Sequence, residues 1–443
     1  MRTFAFLINH GVEVRHFLLS GLIDELRKRH QVLILTRAET NSPALNQYIE
    51  AYQVPVVQLP YPSDMRKRHR NEHYLSKIRK ARKARLGIGN YHNFRNENER
   101  ASWKNSLMGN RFSFWIAHQI WSPALKNHYT ADTVVRLLQQ QHISDLVLLD
   151  YNSPFQLMHG FSANQAGVQV HIVMNTLKTY FTNDYLPFQF KRLYAWDAEQ
   201  QHLFQKSNPQ WPAECVVNGG NPYYSFFLNA RFRDEEQELE NRYPELKNRD
   251  CIVYSLIYEK MFDGEYELLR QLNDILVASF PENTRPVVVI RRNPFEETDT
   301  LVKKLKQLPT MYVTGHYWER DVSKEWSIQE LQGEREWKWI LSKAVLCMNI
   351  PSMAGYESIL SGTPVLNIGF DAEGNPSAQL KQFTEAPFMR SFNQSQFIAV
   401  CNSRSELQRI LPEWLRSKKN ADAQSIRNSI AFTPFTPASF DLN

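Results

Sequence analysis

Asn349 to Asp371 reads N-I-P-S-M-A-G-Y-E-S-I-L-S-G-T-P-V-L-N-I-G-F-D. An apolar strand ends at about Asn349. Pro351, Ser352 and Met353 form a turn, and a helix opens on the small residues Ala354 and Gly355. Gly362 ends that helix, and Pro364 starts a strand that returns the chain to the same edge at Asp371. Strand, helix, strand in so short a span is a unit of a parallel sheet. The helix start leaves free N–H groups and the positive end of a dipole at that edge, which is a ready anion site. Ser352 is either an N-cap or a hydroxyl donor to a phosphate. Glu357, more than one turn later, can accept paired hydroxyls such as those of a ribose. The plainer reading of both is an ordinary capped helix with a solvated carboxylate.

The second half repeats the pattern. Cys251 to Leu256 is a strand, Glu265 to Phe280 a helix and Pro286 to Arg291 a strand. Thr300 to Leu308 follows as a helix, Met311 to Thr314 as a strand, Val345 to Asn349 as the strand before the motif, and Ser405 to Lys418 as a last helix. The first half behaves likewise. Thr3 to Asn9 is a strand, and Phe17, Leu18, Leu19, Leu22, Ile23 and Leu26 recur at helical spacing. Gln31 to Thr36, Val54 to Leu59, Asp145 to Asp150, Gln169 to Met174 and Glu214 to Asn218 read as strands, and Ala195 to Phe204 as a helix. Residues 100–140 read as helical and carry Trp103, Trp115 and Trp121. The predicted fold class is therefore α/β, with two doubly wound Rossmann-like domains facing across a cleft. The expected bounds are 1–230 for the first domain, with a basic insertion at about 62–90, and 231–250 for a charged connection. The second domain takes 251–415, and 416–443 forms a tail returning to the first domain.

A chain of 443 residues with 42% hydrophobic and 22% charged residues has room for two or three domains and an average globular composition, which excludes disordered and fibrous classes. Cysteines at 215, 251, 347 and 401 form no CxxC pair, which argues against a zinc cluster or redox motif; an even count leaves a disulfide pair open, and simple burial is expected. No apolar run reaches the roughly 18 residues of a spanning helix, and the N-terminus lacks signal-peptide features; a cytoplasmic protein is expected. Net charge is +6, but Arg66 to Arg85 holds ten Lys or Arg against the single acid Glu72. The remainder is thus slightly acidic, which excludes a globally basic nucleic-acid binder. With Tyr74 its one aromatic, the basic segment is no stacking platform either. It reads as a solvated helix or insertion. Its functional reading is peripheral contact with an anionic membrane surface or a lipid-linked substrate, at about 1 kcal/mol per basic residue near a charged bilayer.

The motif at Ser352, Met353, Glu357, Gly362, Pro364 and Val365 resembles the C-terminal half of GT-B glycosyltransferases, especially bacterial enzymes of surface-polysaccharide assembly such as capsule and lipopolysaccharide. The resemblance implies that Ser352 and neighbouring N–H groups hold a donor diphosphate, that Glu357 holds the ribose, and that Asp371 meets donor-sugar hydroxyls. Met353 stands where the family usually has Thr, which removes one hydroxyl. Val289 to Pro294 is similar to the family's strand and basic turn, implying Arg291 or Arg292 near the diphosphate, with Asn293 where His is common. Val217 to Pro222 is similar to the G-N-P turn closing the N-terminal domain, which places Gly219, Gly220 and Asn221 at the interdomain cleft.

The implied activity is metal-independent transfer of a sugar from a nucleotide-sugar donor to a glycan or lipid-linked acceptor, with no cofactor beyond the donor. An inverting transferase needs a general base. The loop after the first strand offers His10 first, since some relatives place a His there, and Glu13 second; Asp150 is placed to orient either. A structural His10 bonded to a backbone carbonyl is the competing reading. No D-x-D triplet or His/Asp ligand spacing is present, so helix dipole and arginines are expected to neutralise the leaving diphosphate. Alternatives on the same fold are a nucleotide-sugar 2-epimerase or hydrolase, a polyol-phosphate transferase, or a non-catalytic nucleotide-sugar-binding protein.

Overall fold

The computed structural model describes the chain apart from residues 38–41, 60–76, 79–80, 82–109, 152, 176–185, 229–235, 258–261, 263, 293–298, 316, 322–325, 386–388, 419–420, 431–434 and 436–443. Most of the basic segment from Arg66 to Arg85, and Asn293, lie outside the described residues. Two compact units form: Met1–Phe226 with Phe432–Asn443, and Phe227–Ala431. Both are parallel-sheet α/β units, as the alternating pattern predicts.

The first unit has seven strands: β1 (Thr3–Leu7), β2 (Gln31–Arg37), β3 (Val56–Leu59), β4 (Asp145–Leu149), β5 (Gln169–Val173), β6 (Arg192–Ala195) and β7 (Val216–Asn218). Their order is β3-β2-β1-β4-β5-β6-β7, every pairing parallel. Continuous burial of Phe4–Leu7 and of Asp145–Leu149 is what a parallel strand covered on both faces requires. Chain direction across the sheet reverses between β1 and β4, so the carboxyl ends of these two strands mark a topological switch point. The helix expected over Phe17 to Leu26 is interrupted. Gly11–Val14 is α-helical, Arg15–Leu19 is a wider π-helical turn, and Leu22–Arg27 resumes after Gly21, whose φ is 79°. Near β6, the helix expected from Ala195 instead starts at Ala198, capped by the Asp197 carboxylate on the Gln200 N–H at 2.7 Å. The residues before it are the short strand.

The second unit has a six-stranded parallel sheet of β8 (Cys251–Ser255), β9 (Val287–Arg291), β10 (Met311–Val313), β13 (Ala344–Asn349), β14 (Val365–Ile368) and β15 (Ile398–Cys401), ordered β10-β9-β8-β13-β14-β15. An antiparallel hairpin, β11 (Trp318–Asp321) with β12 (Trp326–Gln329), stands apart from the sheet. The reversal here lies between β8 and β13. Its core joins Ile252, Val288, Leu346 and Leu366 of the strands to Leu269, Leu272, Leu276 and Leu411 of the helices. The charged stretch read as a connection is, from residue 236 on, part of this unit. Glu236–Arg242 and Pro244–Lys247 are helices, and Leu239, Tyr243 and Leu246 are buried. Lys343 pairs with Glu236 at 2.9 Å and Glu240 at 3.0 Å, tying this segment to the helix Leu331–Lys343. Cys251, Cys347 and Cys401 are buried, Cys215 is half-buried, and all four are free thiols. Among the described residues no helix is long and apolar enough to cross a membrane.

Candidate functional site

In the second unit β13 runs straight into the helix Met353–Ser361, whose first turn therefore opens at the β8/β13 reversal. Ser352 is the flanking residue with extended backbone, but its hydroxyl makes no cap. It donates to Asn349 Oδ1 at 2.9 Å, and Asn349 Nδ2 in turn donates to Asn367 Oδ1 at 2.8 Å. Thus the ends of β13 and β14 are tied together, and the serine hydroxyl does not cap the helix, although the serine carbonyl accepts the Gly355 N–H at 3.2 Å. Met353 is half-buried at the first helical position.

One turn later Glu357 is buried. Its Oε2 accepts the Trp337 indole N–H at 2.6 Å and lies 3.4 Å from Arg291 Nη1. The Arg291 guanidinium also sits 4.2 Å from the centre of the Trp337 ring and donates to Gln329 Oε1 at 2.9 Å. Four elements meet here: the end of β9, the end of β12, the helix Leu331–Lys343 and the helix Met353–Ser361. A carboxylate clamped by an indole and a guanidinium is fixed in position without a ligand. Beside it lies a narrow, open recess lined by Arg291, Arg292, Tyr317, Trp318, Gln329 and Trp337 among others. Its aromatic walls and arginines suit a flat ring carrying an anionic tail. Glu336, on the same wall, accepts the Tyr243 hydroxyl, and burial holds its carboxyl above the usual carboxylate range.

Asp371 is at the carboxyl edge of β14, where it builds a turn. Its carboxylate accepts the Asn375 N–H at 2.9 Å, and its own N–H bonds Asn375 O at 2.8 Å. The structure thus brings Arg291, Arg292 and Glu357 together with Trp337 and Gln329, while Ser352 and Asp371 are engaged in local bonds.

In the first unit the residues after β1 and β4 gather at the other reversal. Glu13 Oε2 accepts the N–H groups of Asn9, at 2.8 Å, and of His10. Asn9 Oδ1 accepts the Arg37 N–H at 3.1 Å. Burial pushes the Glu13 carboxyl up to about 7, against the pull of those N–H groups and of Arg37, and the nearby Asp150 adds to the rise. Asp150 itself has φ 71°, a left-handed conformation that a residue without glycine's freedom adopts at a cost. Burial pushes its carboxyl up to about 7 as well, although it accepts the Tyr151 N–H at 2.8 Å. His10 goes the other way: burial and the Arg37 charge lower it to about 4. The imidazole is neutral at pH 7, and a general base works best with a pKa near the working pH. By that measure the two carboxyls are better matched than His10.

Gly219, Gly220 and Asn221 lie in the first unit, between β7 and the helix Pro222–Leu228. Gly219 and Gly220 both donate to Ala195 O, at 3.0 and 3.1 Å. Gly220 has φ 73°, and a Cβ on Gly219 would meet the Tyr194 ring at 2.7 Å. Asn221 is buried, its Oδ1 accepting the Tyr223 N–H at 2.9 Å. Among the described residues no group of three or more His, Cys, Asp or Glu is placed to hold a metal ion.

Sequence reasoning missed Trp337, Gln329 and Tyr317. Their signal is faint: aromatic residues set among charges at 317–339 look like surface, and nothing in spacing links Trp337 to Glu357.

No protein-family profile matches the chain, nor does any curated protein sequence. Solved structures do. The UDP-GlcNAc 2-epimerase of Neisseria meningitidis, bound to UDP-GlcNAc, superposes with a TM-score of 0.51 at 10% identity over 97% of each chain. That of Methanocaldococcus jannaschii, in complex with UDP-GlcNAc and UDP, gives 0.52 at 11% identity over 96% of this chain and 98% of its own. A glycosyltransferase from Rickettsia africae gives 0.51 at 10% identity over 97% and 94%. At such identities the likeness carries the fold and nothing finer: this chain has the GT-B-like architecture of two Rossmann-like parallel-sheet domains.

Proposed function

We propose that this chain is an enzyme of nucleotide-sugar chemistry whose second unit holds the nucleoside diphosphate, with epimerisation or hydrolysis of the sugar as its reaction. The observation that carries the reading is the buried Glu357, clamped by Trp337 and Arg291 beside an aromatic recess at the β8/β13 reversal. In this reading Glu357 takes ribose hydroxyls, Arg291 or Arg292 faces the diphosphate, and the open helix start at Met353 adds N–H donors. Uridine is the preferred base because solved structures of the same fold carry UDP and UDP-GlcNAc. Proton transfer is favoured by Glu13 and Asp150, two carboxyls near 7 that exist in both protonation states at neutral pH.

Glycosyl transfer to a glycan or lipid-linked acceptor in surface-polysaccharide assembly is the second reading, favoured by the Ser352–Val365 pattern. One experiment separates them. Calorimetric titration with UDP, CDP, GDP and ADP is followed by incubation with UDP-GlcNAc in D₂O under proton NMR. An inverted, deuterated sugar carbon identifies an epimerase, and free sugar with UDP a hydrolase. Turnover that requires an added acceptor would establish the transferase instead. Absence of binding to any nucleotide would sink both.

A further inference from the structure

The helix Arg111–Tyr129 in the first unit has two apolar stripes where a surface helix normally has one. Ala117, Leu125 and Tyr129 form the buried stripe, with Tyr129 stacked on Phe161 of the helix Pro154–Ala166 at 6.3 Å. The other stripe faces solvent. Phe112 is 69% exposed, Trp115 53% and Ile120 62%. Spacings of three, five and eight residues put these three on one side, and the Phe112 and Trp115 rings stack at 6.2 Å.

Charge says what meets this stripe. The helix sequence contains Arg111, Lys126, His118 and His128 and no Asp or Glu. From Arg66 to Tyr129 the sequence holds fifteen Lys or Arg against Glu72, Glu97 and Glu99, in a chain whose net charge is only +6. On the helix itself Arg111 and Lys126 meet no acid, so a second copy laid along it would set like charges against each other. An anionic bilayer supplies both halves of the complement: headgroups for the cations and an acyl boundary for Trp, Phe and Ile.

We infer that the exposed Phe112–Trp115–Ile120 face of this helix is a docking surface for anionic membrane lipid, so that the enzyme works at a membrane surface. The inference is independent of the reaction assigned above.

The test is co-sedimentation of the full chain with vesicles of phosphatidylglycerol and phosphatidylcholine, against phosphatidylcholine alone. The comparison protein carries Phe112→Ser, Trp115→Ser and Ile120→Ser, and thermal melts confirm that it folds. Wild type should pellet with the anionic vesicles, lose at least several-fold of that binding between 50 and 300 mM salt, and lose a comparable share in the triple variant at low salt. Wild type left in the supernatant, or a folded triple variant that pellets equally well, overturns the inference. So does a wild-type dimer that the triple variant dissolves while vesicle binding is absent, which would assign the face to a second copy.

Discussion

Glu357 is the acceptor for a buried indole N–H, so its two obvious replacements separate structure from binding. Glu357→Ala removes the acceptor and should destabilise the second unit by about 1–3 kcal/mol. Glu357→Gln keeps an oxygen for Trp337 and should cost less. Both should weaken UDP binding by roughly tenfold or more, since each gives up a charged acceptor, a contact of about 1.5–3 kcal/mol. Calorimetric titration and thermal melts on the pair check this; equal UDP affinity in Glu357→Gln would remove the residue from the nucleotide site. Glu13 makes a pH prediction. Its folded value of about 7 lies above the ordinary 4.5, so the stabilisation it gives is full below pH 4.5 and is lost as pH rises through 7. Glu13→Gln, which cannot ionise, should therefore stabilise the fold at pH 8 relative to wild type by up to about 3 kcal/mol, seen as a higher Tm, and change little at pH 4.5. His10, His16 and His159, each lowered to about 4, act in the opposite direction: their contribution is present above pH 6.5 and fades as pH falls through 4. A pH-independent effect of Glu13→Gln would contradict the assignment. Legibility at this scale was uneven. Arg291 and Glu357 stood out because a strand end and a helix start are readable, whereas Trp337 did not, because its role depends on a contact twenty residues away.

Among elements, the helix Met353–Ser361 is the one on which the site depends, and its end is as specific as its start. Gly362 has φ 89°, and a Cβ there would come within 2.5 Å of the Ala423 Cβ in the helix Ala423–Arg427. Gly362→Ala meets both a left-handed backbone and a clash, so a loss of about 2 kcal/mol is expected. The packed Ala423–Arg427 helix should also become easier to cleave in limited proteolysis; an unchanged melt would show that the turn relaxes freely. Elements of this kind were foreseeable where a run of apolar residues was long, as in β1, β4, β8 and β13. Others were not. β6 is four residues with an arginine at one end, β15 is Ile398–Cys401, and both are too short to show a period. The helix Leu331–Lys343 was hidden because Glu334 and Glu336 are buried with its apolar residues, which erases the polar–apolar alternation that marks a surface helix. The hairpin β11–β12 lies in the same charged, Trp-rich stretch.

For the molecule as a whole, two units with separate cores predict two unfolding events, and calorimetry should show a van't Hoff enthalpy below the calorimetric one. UDP at 100 times its Kd should stabilise the second unit by about 2.7 kcal/mol and so raise its transition temperature. The transition of the first unit should move less. A shift confined to the first would place the nucleotide there and overturn the site built on Glu357. At this scale the two-domain parallel-sheet plan was the most legible feature, because alternation of strand and helix is repeated many times and single errors average out. Packing of residues 236–250 onto the second unit was not legible, since three buried apolar residues among many charges look like a connection until their neighbours are known. The grouping of the chain's far end with the first unit has a temporal side. Phe435 lies 6.4 Å from the Tyr194 ring, beyond the whole span from Phe227 to Ala431. During synthesis the first unit is thus begun before the second and finished after it. For the time taken to translate some two hundred residues, at 5–20 per second, it waits on the ribosome for about 10–40 s with that contact unmade.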